Sequence, residues 1–225
     1  RPIVHLDTEQ SKYHHDQKLR TIAKRLGVEQ LPDHVVSFRL TGERLGIENV
    51  RESVAIAMER TEGKKPYEVM LDGGVDFILD PNDPDASFSM IKDLMAVADE
   101  FDCIIVISIH YNPSQQGGPS KSRGHYGSEL ERKSEAYLTI NKDSESGHRS
   151  LFTKFARERE LPEGEAVRFA WDERAGMFNV LSDEISGYSV DNVLTILERE
   201  GGAMERTQLK KLLKENVGGD PRTWE

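Results

Sequence analysis

Four apolar runs separated by helix-patterned segments restrict this chain more than any other feature. The runs are PIVHLD (residues 2–7), HVVSFRL (34–40), YEVMLDGG (67–74) and CIIVISIH (103–110). Between them, apolar residues recur at the spacing of one helix face. The predicted inward residues are Leu19, Ile22, Ala23 and Leu26 before Gly27, then Ile47, Val50, Val54 and Met58 before Gly63. A third set, Phe88, Ile91, Met95 and Ala98, follows a loop marked by Pro81 and Pro84. Strand and helix alternating at this interval is the pattern of βαβ units. It predicts a three-layer α/β fold, a mostly parallel sheet with helices on both faces. CIIVISIH, apolar along its length, reads as a strand buried on both faces.

The pattern changes after His110. YNPSQQGGPSKSRGHYGSEL (111–130) reads as a long loop, and loops of that length inside a domain are usually functional. EAYLTINKD, RSLFTKFARE and EAVRFAWDE follow, separated by the turn signals SESG and LPEG, so the sheet is predicted to finish in antiparallel hairpins. SDEISG reads as a linker to two short amphipathic helices, SVDNVLTILEREG and RTQLKKLLKENVG. The expected division is therefore a core over 1–181 and a helical segment over 182–225, the latter the possible start of a helix-turn-helix or truncated winged helix.

Composition removes several classes. A formal net charge of -10 excludes nucleic-acid binding through general basicity, while leaving room for a local basic lane. The single cysteine, Cys103, supports neither a disulfide framework nor a cysteine zinc site and reads as a reduced core thiol. No stretch approaches the roughly 18 apolar residues of a membrane span. A cytoplasmic protein is expected.

Ligands of open parallel sheets sit beyond the carboxyl ends of the strands, and three of those ends carry polar groups here. HLDTEQS, VMLDGG and ISIHYN would bring Asp7, Glu9, Asp72 and His110 to one edge. A carboxylate ending an apolar strand suits a hard cation, which makes Asp72 the candidate magnesium residue. Glu9 could orient and deprotonate an attacking water, or else serve as a first-turn helix acid, and His110 could sense a γ-phosphate, or else be a hydrogen-bonded strand-end histidine. Asp76 and Asp80 read as parts of the outgoing turn, and Asp83 and Asp85 as helix caps. In the long loop, Lys121, Arg123, His125 and Tyr126 offer basic and aromatic contacts for single-stranded nucleic acid, or else a solvated surface. Arg157 and Arg159 are equally open between a role and a solvated edge.

Taken in order, VHLDTEQS, EVMLDGGVDFILDPNDPDAS, IIVISIHYN, RGHYGSELERKSEAYLTINKD and FAREREL resemble the ATPase core of RecA/DnaB-type proteins. Within that group the sequence is most similar to RepA-like replicative helicase or primase-associated ATPases of bacterial mobile elements. The resemblance spans Arg1 to about Phe178. It implies ATP and Mg2+ as ligands, Glu9 as catalytic glutamate, Asp72 as the Walker B aspartate and His110 as polar sensor. It also implies that the loop faces a central channel or a neighbouring subunit, and that Arg157 reaches the neighbour's nucleotide. DNA, single-stranded in the first instance, and a homo-oligomeric ring or filament are the implied partners. One departure is large: no G-x-x-x-x-G-K-[ST] phosphate loop occurs in the chain. In the family that loop precedes the strand equivalent to IVHLD, so the N-terminal portion is expected to be missing. Two other readings stay open. One is a metal-dependent phosphohydrolase or nuclease using Asp72, Asp76 and Glu9; the other is a non-catalytic DNA-binding or assembly module.

Overall fold

The computed structural model describes residues 1–42, 44–111 and 124–181, and the chain divides into two compact units, Arg1–Ser134 and Glu135–Glu225. The first unit is built on strands β1 (Ile3–Asp7), β2 (Val35–Arg39), β3 (Glu68–Asp72) and β4 (Ile104–Ser108). They form one parallel sheet in the order β2-β1-β3-β4. Asp7 pairs in register with Asp72, and Asp72 with Ser108. Parallel strands in register bring their carboxyl ends to a common edge, as the sequence predicts.

Side chains alternate across the sheet. Val4, Leu6, Val36, Val69 and Leu71 are buried in one core with Val50, Val54 and Ala57 of α2 (Ile47–Arg60) and Ile91, Leu94 and Val97 of α3 (Pro84–Phe101). Burying each of the larger side chains contributes about 1.5–3 kcal/mol. The opposite face is more polar, with His5, Asp7, Ser37 and Asp72 at alternating positions on their strands. Helix α1 (Lys12–Arg25) lies against it, its buried residues being His15 and Ala23. Asp83 caps α3, its side chain accepting from the backbone N–H groups of Asp85 and Ala86, and Pro84 opens the helix.

Three expectations about packing are corrected. On α3 the buried stripe is Ser87, Met90, Ile91, Leu94 and Val97, while Phe88 and Met95 are exposed. The helix is apolar on more than one side, so two stripes fit the helical period and the sheet selects the other. On α1, Ile22 and Leu26 are exposed. Strand β4 is not buried on both faces: Ile104 is 49% and Val106 37% exposed. Among the described residues β4 pairs only with β3, which makes it an edge strand.

The expectation of loop over 111–130 is corrected from Gly124 onward. Gly124–Lys133 is a helix, α4, and residues 112–123 lie outside the described residues.

The second unit contains β5 (Ala136–Lys142), β6 (Arg149–Ala156), β7 (Val167–Asp172) and β8 (Met177–Val180), an antiparallel meander in the order β5-β6-β7-β8. The predicted hairpins are present, in a four-stranded sheet of their own, and β8 is an added strand that the sequence reading did not mark. Asp143 shapes the first hairpin turn by accepting from the Ser146 backbone N–H at 2.7 Å and the Ser146 hydroxyl at 2.7 Å. Phe178 stands edge-on to both Phe169 and Trp171, and the Arg149 guanidinium lies 4.2 Å from its ring centre. The predicted C-terminal helices lie outside the described residues. Among the described residues, no helix is long and apolar enough to cross a membrane. Cys103 is a free, half-buried thiol whose burial pushes its pKa up.

Candidate active site at the strand ends

Asp72 ends β3, and the two glycines after it are there for space. Gly73 sits at φ +92°, a left-handed conformation that favours glycine. A Cβ on Gly73 would overlap the Thr8 hydroxyl and stand 2.9 Å from Cγ of Glu9; one on Gly74 would overlap the Ile107 side chain. The Asp-Gly-Gly turn therefore lets the β1 turn and β4 close around the Asp72 carboxylate.

That carboxylate is heavily engaged. Its Oδ1 accepts from the Ser108 hydroxyl at 2.9 Å, and its Oδ2 accepts from the Lys18 ammonium at 2.7 Å. His5 Nε2 lies 3.7 Å from the same Oδ2. The His5 imidazole, the Lys18 ammonium and the Ser108 hydroxyl hold the Asp72 carboxyl well below the ordinary carboxylate range, against the opposing effect of partial burial. Asp7, one strand over, is fully buried. Its Oδ1 accepts the backbone N–H groups of Glu9 (3.1 Å) and Gln10 (2.9 Å), and its Oδ2 accepts from Lys18 at 2.9 Å. Burial works against the charged ammonium of Lys18, but the Asp72 and Asp7 contacts outweigh it and raise its pKa. Behind these groups, the Ser37 hydroxyl lies 2.8 Å from His5 Nδ1 and 2.9 Å from His15 Nε2, and the two imidazoles are nearly parallel.

Glu9 and His110 meet beside this cluster. His110 Nε2 lies 3.1 Å from Glu9 Oε1, and both side chains are open to solvent. Thr8 donates its hydroxyl to Asp76 Oδ2 at 2.8 Å, so Asp76 belongs to the turn after β3. Among the described residues, the His, Asp and Glu groups whose ligand atoms converge within 4.8 Å are His5, Asp7 and Asp72. Neither Asp76 nor Glu9 joins them.

The structure thus brings Asp7, Glu9, Asp72 and His110 to one edge, as the sequence predicts, and adds His5, Lys18 and Ser108. Alternation gave a signal for His5, which shares a strand face with Asp7. Lys18 left a fainter one, as a lysine three residues after His15 on the sheet side of α1.

The remaining candidates fall elsewhere. Tyr126 is fully buried in the core of the first unit, with its backbone N–H bonded to the Pro81 carbonyl at 3.0 Å. Stacking on a base needs an exposed ring, so Tyr126 is corrected from a nucleic-acid contact to a packing residue. His125 is exposed in the first turn of α4. Lys121 and Arg123 lie outside the described residues. Arg157 follows β6 in the second unit, its Nε 3.4 Å from Glu135 Oε1 in an exposed pair.

The donor set at Asp72 fits a hard dication in its chemistry, because two carboxylates turn an oxygen each toward one point. That point is taken by the Lys18 ammonium. A phosphate-binding loop is absent from the sequence, so no residue is assigned to the phosphates of a nucleotide.

No family model matches the sequence, and no curated protein matches it. Among solved structures, the chain is similar to that in the crystal structure of the RadB recombinase, with a TM-score of 0.50 at 18% identity over 77% of each chain. Likeness at this identity speaks to fold alone. The chain is an α/β protein with a RecA-like core.

Proposed function

We propose that this chain is the ATPase core of a DNA helicase or helicase-loader-like protein, hydrolysing ATP with magnesium during replication of a mobile element. The observation that carries the reading is the register of Asp7 with Asp72 and of Asp72 with Ser108, which gathers Asp72, Glu9 and His110 on one strand edge of a RecA-like core. In this reading Asp72 binds the magnesium ion of bound ATP, which neutralises phosphate charge. Glu9 removes a proton from the attacking water, and His110, in contact with Glu9, responds to the γ-phosphate. No phosphate-binding loop motif occurs in these 225 residues, so this reading assigns the phosphates of ATP to none of them.

Arg157 acts in trans on a neighbouring subunit's nucleotide in a ring or filament, and Lys121, Arg123 and His125 contact single-stranded DNA. The ATPase core extends over 1–181, with 182–225 as a helical appendage, and the protein works in the cytoplasm. The resemblance to RepA-like ATPases supports these finer assignments.

The test is phosphate release from ATP by the full-length protein, with magnesium and with a chelator. Release that requires magnesium is the expected result. ATP-independent, metal-dependent cleavage of phosphodiesters would favour the phosphohydrolase reading instead, although Asp76 and Glu9 stand outside the converging group. DNA binding with neither activity would favour an assembly module.

A further inference from the structure

Lys18 has no role in the proposed chemistry, yet its ammonium occupies the position that chemistry needs. Each of the two carboxylates spends one oxygen on local partners. Asp7 Oδ1 is held by the Glu9 and Gln10 N–H groups, and Asp72 Oδ1 by the Ser108 hydroxyl. The remaining oxygens, Asp7 Oδ2 and Asp72 Oδ2, both face the Lys18 ammonium, at 2.9 and 2.7 Å. His5 completes the cradle. Its Nε2 lies 3.7 Å from Asp72 Oδ2, and once a metal replaces the ammonium the tautomer with its proton on Nδ1, toward the Ser37 hydroxyl 2.8 Å away, would turn the Nε2 lone pair to that metal. This is a site built for a cation, and its occupant is part of the chain.

We infer that Lys18 is an internal competitor for the divalent metal ion, and that His5 and Asp7 join Asp72 as ligands once it leaves. An ammonium and a dication cannot share two carboxylate oxygens, because the like charges would stand within a few ångströms of each other in a partly desolvated pocket. Entry of the metal therefore requires the Lys18 stem to swing toward solvent, which its position on the rim of α1 allows, since its side chain is one-third exposed. Asp7, fully buried, is never left without a positive partner in this exchange. The inference rests on the reading of Asp72 as a metal residue, but it concerns metal binding without nucleotide and is tested without ATP.

The experiment is Mn2+ binding to nucleotide-free full-length protein, followed by the paramagnetic signal of the free ion, for wild type, Lys18→Met and Asp72→Asn. Lys18→Met removes two charge-assisted hydrogen bonds that the metal must otherwise displace, so Mn2+ affinity is expected to rise by at least about tenfold. Asp72→Asn should abolish the strong site. Equal Mn2+ affinity in wild type and Lys18→Met overturns the competition while sparing Asp72 as a ligand. Absence of binding in both overturns the site itself, whatever the ATPase assay gives.

Lys18→Met leaves Asp7 buried without its cation and is at risk of unfolding, so a second measurement uses the wild-type protein. Acetylation of Lys18 by a water-soluble reagent, read by peptide mass spectrometry against exposed Lys24, is expected to increase severalfold when Mn2+ is added at saturating concentration. Unchanged labelling of Lys18 under those conditions overturns the proposal.

Discussion

Glu9→Gln is expected to leave ATP bound and to lower its turnover by about 10²–10⁴, the usual contribution of a positioned general base. Glutamine keeps the size of the side chain and its capacity to meet His110, but has no basic oxygen. The turn that holds residue 9 is fixed through backbone groups, the N–H of Glu9 and of Gln10 on Asp7 Oδ1, so the substitution leaves that anchoring in place. Affinity for nucleotide and single-turnover phosphate release in the full-length protein separate the two effects. Wild-type turnover in Glu9→Gln would move the base to another residue.

Gly73→Ala is expected to damage both stability and turnover. The left-handed backbone alone costs a non-glycine residue about 1–2 kcal/mol. The added methyl would also overlap the Thr8 hydroxyl and crowd Glu9, pushing the β1 turn away from Asp72. Gly63 provides the control, because it has φ +77° and open space where its Cβ would stand. Gly63→Ala should therefore lose only the backbone part, with turnover unchanged. Denaturant midpoints and ATP turnover for the two variants check this; equal losses of stability would mean that the close approach at Gly73 contributes nothing.

Much of the first unit was legible because its strands are short, apolar and separated by helices of ordinary length. Parallel register then follows from topology, and strand-end residues such as Asp7, Asp72 and His110 must gather at one edge. Helix faces were harder to read. On α3 the spacing fits Phe88 and Met95 as well as Met90, Leu94 and Val97, and only the sheet decides between them. The apolar run of β4 suggested burial on both faces, whereas exposure depends on what packs beside the strand, which a run of isoleucines does not encode.

Composition misled in the GHYGSEL segment, where glycines and a serine suggested loop. Tyr126, buried against the core, and the bond from its N–H to Pro81 anchor a helix there through tertiary contact. The site was half legible for a related reason. Carboxylates at strand ends announce themselves in sequence, but the cation between Asp7 and Asp72 comes from a helix eleven residues beyond Asp7, and only the folded geometry joins them.

The dependence of ATP turnover on magnesium, measured on the full-length protein with Asp72→Asn beside wild type, decides whether Asp72 acts on the metal. A carboxylate that acts on the cation should, when neutralised, shift the magnesium requirement to higher concentration as well as lower the maximal rate. That shift is expected in Asp72→Asn and not in Asp76→Asn, whose carboxylate serves the Thr8 turn. An unchanged magnesium curve in Asp72→Asn would contradict the account, and so would an equal shift in both variants.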